Sequence, residues 1–405
     1  MRLRVVTMLC VLVCAGTLRA QTPDALRAMY DSNQAFALRD AVEHGHAPLF
    51  YRGAVEESLN ETGPARKHLH EVIHADPHSK DAKDAHEMLG NLFFRQGRYR
   101  EAYAQIVSAH AERPDSADIN NMLPLFRALS ESPDMQVVRL KSTRLMRVGD
   151  DQRSLPVMIN GKEVMYGFDT GAALSVMGES DAKLLGLTVV KVDMKLSEAS
   201  GSDIAGIRLA FAKDLEIGGL HLRNVAFFVL QDTGVPFAEV PVGSRGLIGL
   251  PVLLAMRAVR WAPAGLFEFG KVAELKRPVT QNLLFHGSTM VVQTGVQDKL
   301  LTFSLDTGAV DTDLNEGFAK KFPELVATGE KESRAITGMG GSNKYDSVLL
   351  GPVVFQVGGY DVTLKAPHVF PSHSLGSFDG NLGNDILNQT RAVTLDFKAM
   401  GLRLE

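Results

Sequence analysis

The sequence predicts a multidomain chain in which an α-helical repeat region precedes a bilobal all-β domain. Three observations predict it. The first is a duplication: Asp169-Thr170-Gly171-Ala172 returns letter for letter as Asp306-Thr307-Gly308-Ala309, 137 positions later. Other landmarks recur near that offset. Gly218-Gly219 returns as Gly358-Gly359, 140 positions on; Leu247-Ile248-Gly249-Leu250 as Asn381-Leu382-Gly383-Asn384, 134 on; and Arg257-Ala258-Val259 as Arg391-Ala392-Val393, also 134 on. One unit therefore fills the chain twice from about Met135 to Glu405, the drift being what loop insertions between fixed strands produce. The second is the short apolar run before each Asp, ending at Phe168 and Leu305, which reads as a buried strand. The third is a change to helical periodicity upstream, with its own recurrence: Gly53, Ala65 and Pro77 are followed 37 residues later by Gly90, Ala102 and Pro114. A chain of 405 residues, 45% hydrophobic and 22% charged, has room for more than one folded unit.

In chain order, residues 1–20 have the layout of a secretory leader: Met1-Arg2-Leu3-Arg4, an apolar run from Val5 to Gly16, then Thr17-Leu18-Arg19-Ala20 with cleavage expected after Ala20. The run is too short to span a bilayer. Neither Cys10 nor Cys14 follows the small residue that a lipid-anchoring signal needs, so no stable membrane anchor is expected. A cytoplasmic start with a buried first helix is the competing reading. Both cysteines lie in the leader, so the mature chain would carry no disulfide and no thiol chemistry. Losing three arginines and no acid with it would take the net charge from −4 to −7, which argues against nucleic acid or an anionic membrane surface as partner. Export across the inner membrane, to a bacterial periplasm or beyond the cell, is the expected destination.

Residues 24–130 follow. The run Leu89-Gly90, Phe93, Gly97, Ala102, Ala109 and Pro114 resembles a tetratricopeptide repeat. The resemblance implies two such units with a flanking helix on each side. It also implies a surface for a peptide or protein partner, or a structural cap on the β domain. Within this region His70-Glu71-Val72-Ile73-His74 matches H-E-x-x-H, which on a helix offers two zinc ligands and a general base. Leu69, Val72 and Ile73 occupy packing positions of the same helix, Asp76-Pro77 ends it, and the extended third-ligand form is absent. The match reads as a helical coincidence. Ser130-Glu131-Ser132-Pro133-Asp134 then links to the first lobe, 135–272, which joins the second, 273–405, near Gly270 to Pro278.

Each lobe carries its parts in one order: a D-T-G-A loop, a Gly-containing hairpin, and an apolar-apolar-Gly step entering a short helix. On these residues each half resembles a retropepsin-like aspartic protease, here as two tandem units in one chain; the lobes are shorter than those of pepsin-like enzymes. An isolated Asp-Thr-Gly is as easily a strand-end turn, and the duplicated context is what argues against that. The resemblance implies that Asp169 and Asp306 meet as the catalytic pair and activate a water for peptide hydrolysis, with no metal or cofactor. Two carboxylates within hydrogen-bonding distance share one proton and titrate as a pair. Thr170 and Thr307 would bond across the pseudo-twofold axis. Gly171 and Gly308 would let backbone pass close to the carboxylates. Ala172, Ala309 and the hydroxyls Ser175 and Thr312 would complete the support. Ile336-Thr337-Gly338-Met339-Gly340-Gly341 would form one substrate-covering flap, and Glu198-Ala199-Ser200-Gly201-Ser202 the other, less glycine-rich one.

Asn381 departs from the pattern, standing where an apolar residue is usual, and is expected to alter the packing behind the pair. The expected product is an exported endopeptidase acting on peptide or protein substrates, monomeric because fusion favours intramolecular pairing of the lobes. The alternatives are a catalytically silent peptide-binding scaffold and, less favoured, a zinc peptidase using His70 and His74.

Overall fold

The computed structural model describes residues 22–149, 153–194, 196–197, 203–204, 206–234, 236–275, 281–339, 341–374 and 377–405. The leader at 1–20 and the residues Ser200, Gly201 and Gly340 lie outside them.

Seven helices fill the N-terminal part of the described chain: Pro23–Asp31, Ala35–Glu43, Leu49–Ser58, Thr62–Ala75, Lys80–Arg95, Tyr99–Glu112 and Ala117–Ser130. Thr22, Ser79 and Ser116 each stand before a helix and accept a hydrogen bond from an otherwise unpaired first-turn amide (Ala25, Ala82 and Ile119); each such cap contributes about 1 kcal/mol. The 37-residue recurrence is repeated in the packing. A Cβ added at Gly53 would meet Leu69 at 2.7 Å, and one at Gly90 would meet Ile106 at 2.7 Å. Leu69 and Ile106 are themselves 37 apart, and Ala65 and Ala102 are both fully buried. The same small-to-large contact therefore closes two successive antiparallel helix pairs.

In the first lobe, Leu220–Leu230, Ser175–Gly178, Gly246–Ile248, Lys162–Phe168, Leu155–Ile159 and Arg208–Ile217 are neighbours in that order. Leu220–Leu230 also pairs with Arg208–Ile217, closing them into a ring. Gln136–Leu140 and Val189–Lys191 lie at the margins. In the second lobe, Glu330–Gly338, Gly341–Leu349, His368–Val369, Asp313–Leu314, Gly380–Leu382, Lys299–Leu305, Thr289–Val296, Val353–Val357 and Tyr360–Leu364 follow one another, and Leu283–His286 also pairs with Thr289–Val296. Parallel pairing of Lys162–Phe168 with Gly246–Ile248 recurs as Lys299–Leu305 with Gly380–Leu382. This is the duplication expressed in register.

A five-stranded sheet, Thr143–Met146, Leu266–Phe269, Ala258–Trp261, Val393–Asp396 and Gly401–Leu404, takes strands from both halves. Its central pairing, Ala258↔Asp396 to Trp261↔Val393, joins the two recurrent Arg-Ala-Val segments antiparallel across the lobe boundary. Trp261 and Phe267 are fully buried and meet the ring of Phe168, the residue before Asp169, at 5.2 and 5.1 Å. The shared sheet thus supports the first carboxylate's strand from beneath.

The helical region is anchored to the second lobe by charge. Arg95, fully buried, pairs with the buried Glu57 at 2.7 Å, donates to the carbonyls of Glu57 and Gly287, and lies 4.3 Å over the ring of Phe285. Burial raises the proton affinity of Glu57 and Arg95 opposes it. Arg39 donates to the carbonyl of Gln281; at the start of the first lobe, the Met135 amide donates to the carbonyl of Gly97. Removing one partner of a buried pair strands the other's charge. Arg95→Ala is therefore expected to cost about 3–5 kcal/mol of stability, and Arg95→Met with Glu57→Met to recover most of it. Denaturant midpoints of the two variants check this; equal losses in both would contradict it.

Candidate active site

Each Asp-Thr-Gly loop leaves its strand at the end of a parallel ladder, which aims the Asp at the opposite lobe. The Asp169 amide donates to the carbonyl of Ile248 at 2.9 Å and the Asp306 amide to that of Leu382 at 3.0 Å. The apolar-apolar-Gly steps thereby hold the aspartate backbones. Ser175 Oγ accepts from the Gly249 amide at 3.0 Å, and Thr312 Oγ1 accepts from the Gly383 amide at 3.0 Å. The two short hydroxyls six residues after each Asp thus occupy equivalent places.

The two loops are cross-linked through buried threonines. The Thr170 amide donates to Thr307 Oγ1 (3.0 Å) and the Thr307 amide to Thr170 Oγ1 (3.1 Å). The hydroxyls donate in turn across the boundary, Thr170 to the carbonyl of Leu305 (2.8 Å) and Thr307 to that of Phe168 (3.3 Å). Every donor and acceptor in this reciprocal set finds its partner in the other lobe. A buried amide left without its partner would cost about 1–3 kcal/mol, so the arrangement also fixes the alignment of the lobes.

This cross-link brings the carboxylates together, near enough that the charge of Asp306 raises the proton affinity of Asp169. The neighbouring glycines measure how close the backbone passes. A Cβ at Gly308 would sit 2.7 Å from Asp169 Oδ2, and one at Gly171 would sit 2.9 Å from Asp306 Cγ. Each glycine makes room for the opposite carboxylate, so both are required by proximity. Asp169 is buried and accepts the Gly171 amide at Oδ1 (2.7 Å). Asp306 is half-buried and accepts the amides of Gly308 (2.8 Å) and Ala309 (3.0 Å) at Oδ1. The Ala172 carbonyl accepts the Leu250 amide, and that of Ala309 accepts the Asn384 amide.

Reasoning from sequence missed four side chains of the second lobe. Asn381 does more than alter packing: its Nδ2 donates to Asp306 Oδ2 at 3.0 Å. Ser304 donates to Asn381 Oδ1 at 2.6 Å. Asn384 Nδ2 donates to the carbonyls of Thr307 and Ala309, and Asp385 receives both the amide and the hydroxyl of Thr312. The available signal was the polar run Asn381-Leu382-Gly383-Asn384-Asp385, set against Leu247-Ile248-Gly249-Leu250 in the first lobe.

The second-lobe hairpin pairs Glu330–Gly338 with Gly341–Leu349 to its tip, where Gly338 faces Gly341. Gly341 has φ 137°, a conformation that favours glycine. Met339 is partly buried against the apolar core. Arg334 of this hairpin pairs with Asp311 in the loop that follows Asp306. His70 and His74 find no third ligand beside them: among the described residues no group of three or more His, Cys, Asp or Glu side chains is gathered for a metal.

Burial foremost, and then the charge of Asp306, hold the Asp169 carboxyl well above the usual carboxylate range, while the Gly171 amide pulls the other way. A carboxyl whose proton affinity is raised by folding contributes stability that is present below its unfolded value and lost as pH rises through its folded one. Asp169→Asn removes that slope. The difference in thermal midpoint, variant minus wild type, is therefore expected to grow by roughly 2–5 °C from about pH 4 to about pH 8. A difference that stays constant or shrinks over that range would contradict the assignment.

Comparison with known proteins agrees with the duplicated motif where it reaches. Residues 155–252, spanning the first D-T-G-A loop and its apolar-apolar-Gly step, match the family model described as aspartyl protease. The match bears out the resemblance to aspartic proteases over that stretch. A solved structure, that of a retropepsin-like aspartic protease from Rickettsia conorii, is similar at 15% identity, covering 34% of this chain and 94% of that one with a TM-score of 0.23. No curated protein matches the chain.

Proposed function

We propose that the chain is an aspartic endopeptidase whose single site is built by Asp169 and Asp306 within one molecule. The observation that carries the reading is the reciprocal threonine cross-link with the two carboxylates set close together at its centre. Such a pair holds one proton between two carboxyl groups. The ionised carboxyl takes a proton from a water held between them, and the water oxygen attacks the scissile carbonyl carbon. The protonated carboxyl gives its proton to the carbonyl oxygen, forming a neutral tetrahedral gem-diol. The proton taken from water then passes to the amide nitrogen, the C–N bond breaks, and a gem-diol proton returns to the pair. Acid and base are both supplied by this chain, with no covalent intermediate.

The Glu330–Leu349 hairpin would cover an extended peptide and exclude bulk water. The helical region, anchored through Arg95, would present a tetratricopeptide-like surface to a protein partner or brace the second lobe. The leader-like start supports export, and no described helix is long and apolar enough to cross a membrane. The chain's net negative charge supports peptide substrates over nucleic acid.

Purified chain incubated with a diverse peptide mixture tests this. Hydrolysis is expected to fall by a factor of about 10³ or more, as loss of a reacting group typically causes, in both Asp169→Asn and Asp306→Asn, and to be unaffected by chelator. Peptide binding without cleavage by the wild type would favour the silent scaffold. Chelator-sensitive cleavage that survives both substitutions would move the chemistry to His70 and His74.

A further inference from the structure

The two halves of the catalytic pair are not equivalent, and one side chain makes the difference. In the first lobe the residue preceding Ile248 is Leu247, paired in register with Gly167. At the corresponding place in the second lobe stand Asn381 and Ser304, also paired in register. Leucine and glycine offer nothing polar to Asp169. Asn381, only 8% exposed, donates to Asp306 Oδ2 at 3.0 Å, and Ser304 donates to its Oδ1 at 2.6 Å. The amide thus offers its oxygen to the Ser304 hydroxyl and its NH₂ to the Asp306 carboxylate.

We propose that Asn381, oriented by Ser304, is a positioning residue that makes Asp306 the general base of the pair and leaves the shared proton on Asp169. This rests on the peptidase reading above and assigns the two roles within it. The donor inventory carries the argument. Asp306 accepts the amides of Gly308 and Ala309 at one oxygen and the Asn381 NH₂ at the other. Asp169 accepts the Gly171 amide, and the nearby Gly308 amide also lowers its proton affinity. Donors that cannot accept a hydrogen bond favour the ionised form of the group they serve. Other charges near Asp306 are Asp169 opposite it and Asp313 behind, with Asp311, Asp385 and Arg334 around Asp313. Asp306 and Asp313 repel one another, and the three hydrogen bonds donated to Asp306 are set against that repulsion. In the attack step the water proton then goes to Asp306 as the O–C bond forms, and the Asp169 proton goes to the carbonyl oxygen. On collapse Asp306 protonates the amine, and Asp169 recovers its proton from the gem-diol.

The test uses full-length chain labelled with ¹³C at aspartate carboxyls, with the two signals assigned through Asp169→Asn and Asp306→Asn. In the wild type, Asp306 is expected to resonate as a carboxylate and Asp169 as a carboxylic acid. Asn381→Leu, which installs the first lobe's own residue, is expected to draw the two signals together. It should also raise the acidic limb of the kcat/KM–pH profile by about one unit and lower kcat about tenfold. Ser304→Ala, which frees the amide without removing it, is expected to move both readouts the same way by a smaller amount, and it serves if the leucine variant does not fold. A wild-type proton on Asp306, or variants that leave signals and acidic limb in place, would overturn the proposal. Turnover that survives Asp306→Asn would instead remove the peptidase reading, while the carboxyl signals would still report where the proton sits.

Discussion

Two carboxylates repel each other and resist burial, so they stay side by side only where the surrounding fold is held more tightly than they push. Here the holding interaction is the exchange between Thr170 and Thr307, in which each amide and each hydroxyl bonds into the other lobe. The other features of the site follow from it. Gly171 and Gly308 are needed because the loops meet so closely that any side chain would strike a carboxylate. Phe168 is wedged against Trp261 and Phe267 because the strand beneath the pair must not retreat. The central five-stranded sheet takes strands from both lobes, so separating the carboxylates would mean breaking a ladder as well as the threonine bonds.

Fusing the two units in one chain fixes this arrangement without a second molecule and removes the requirement that the halves be alike. The second lobe has used that freedom. Its D-T-G-A loop is braced by the Asn384 and Asp385 side chains and its carboxylate is met by Asn381, whereas the first lobe has Leu250, Pro251 and Leu247 in those places. The helical region adds a second asymmetry, because Arg95 and Arg39 reach strands and loops of the second lobe. The same region also meets the first lobe, where the Met135 amide bonds to the carbonyl of Gly97.

Much of this could be read in the sequence because the informative patterns were repeated ones. Two copies of D-T-G-A located the loops, and the hydroxyls six residues after each Asp located Ser175 and Thr312. The offset of 37 marked helix pairs whose contacts, Gly53 with Leu69 and Gly90 with Ile106, repeat at that same distance. Features that occur once were harder to see. Asn381 stood out as polar at an apolar step, but its partner Ser304 lies 77 positions away and becomes its neighbour only through strand register. Arg95 looks like any other helical arginine until Phe285, 190 positions on, is folded against it. A long-range partner leaves no local trace. The first-lobe flap read at Glu198 to Ser202 lies outside the described residues.

The central claim is that one molecule supplies both carboxylates to one site, and complementation tests it most directly. Asp169→Asn and Asp306→Asn chains, each carrying one intact Asp, are mixed over a wide range of concentration and assayed for peptide hydrolysis beside the wild type. The expected result is wild-type activity per molecule that does not change on dilution, and no recovery in the mixture. Activity restored by mixing, rising with total concentration, would mean that the site forms between chains and would contradict the account.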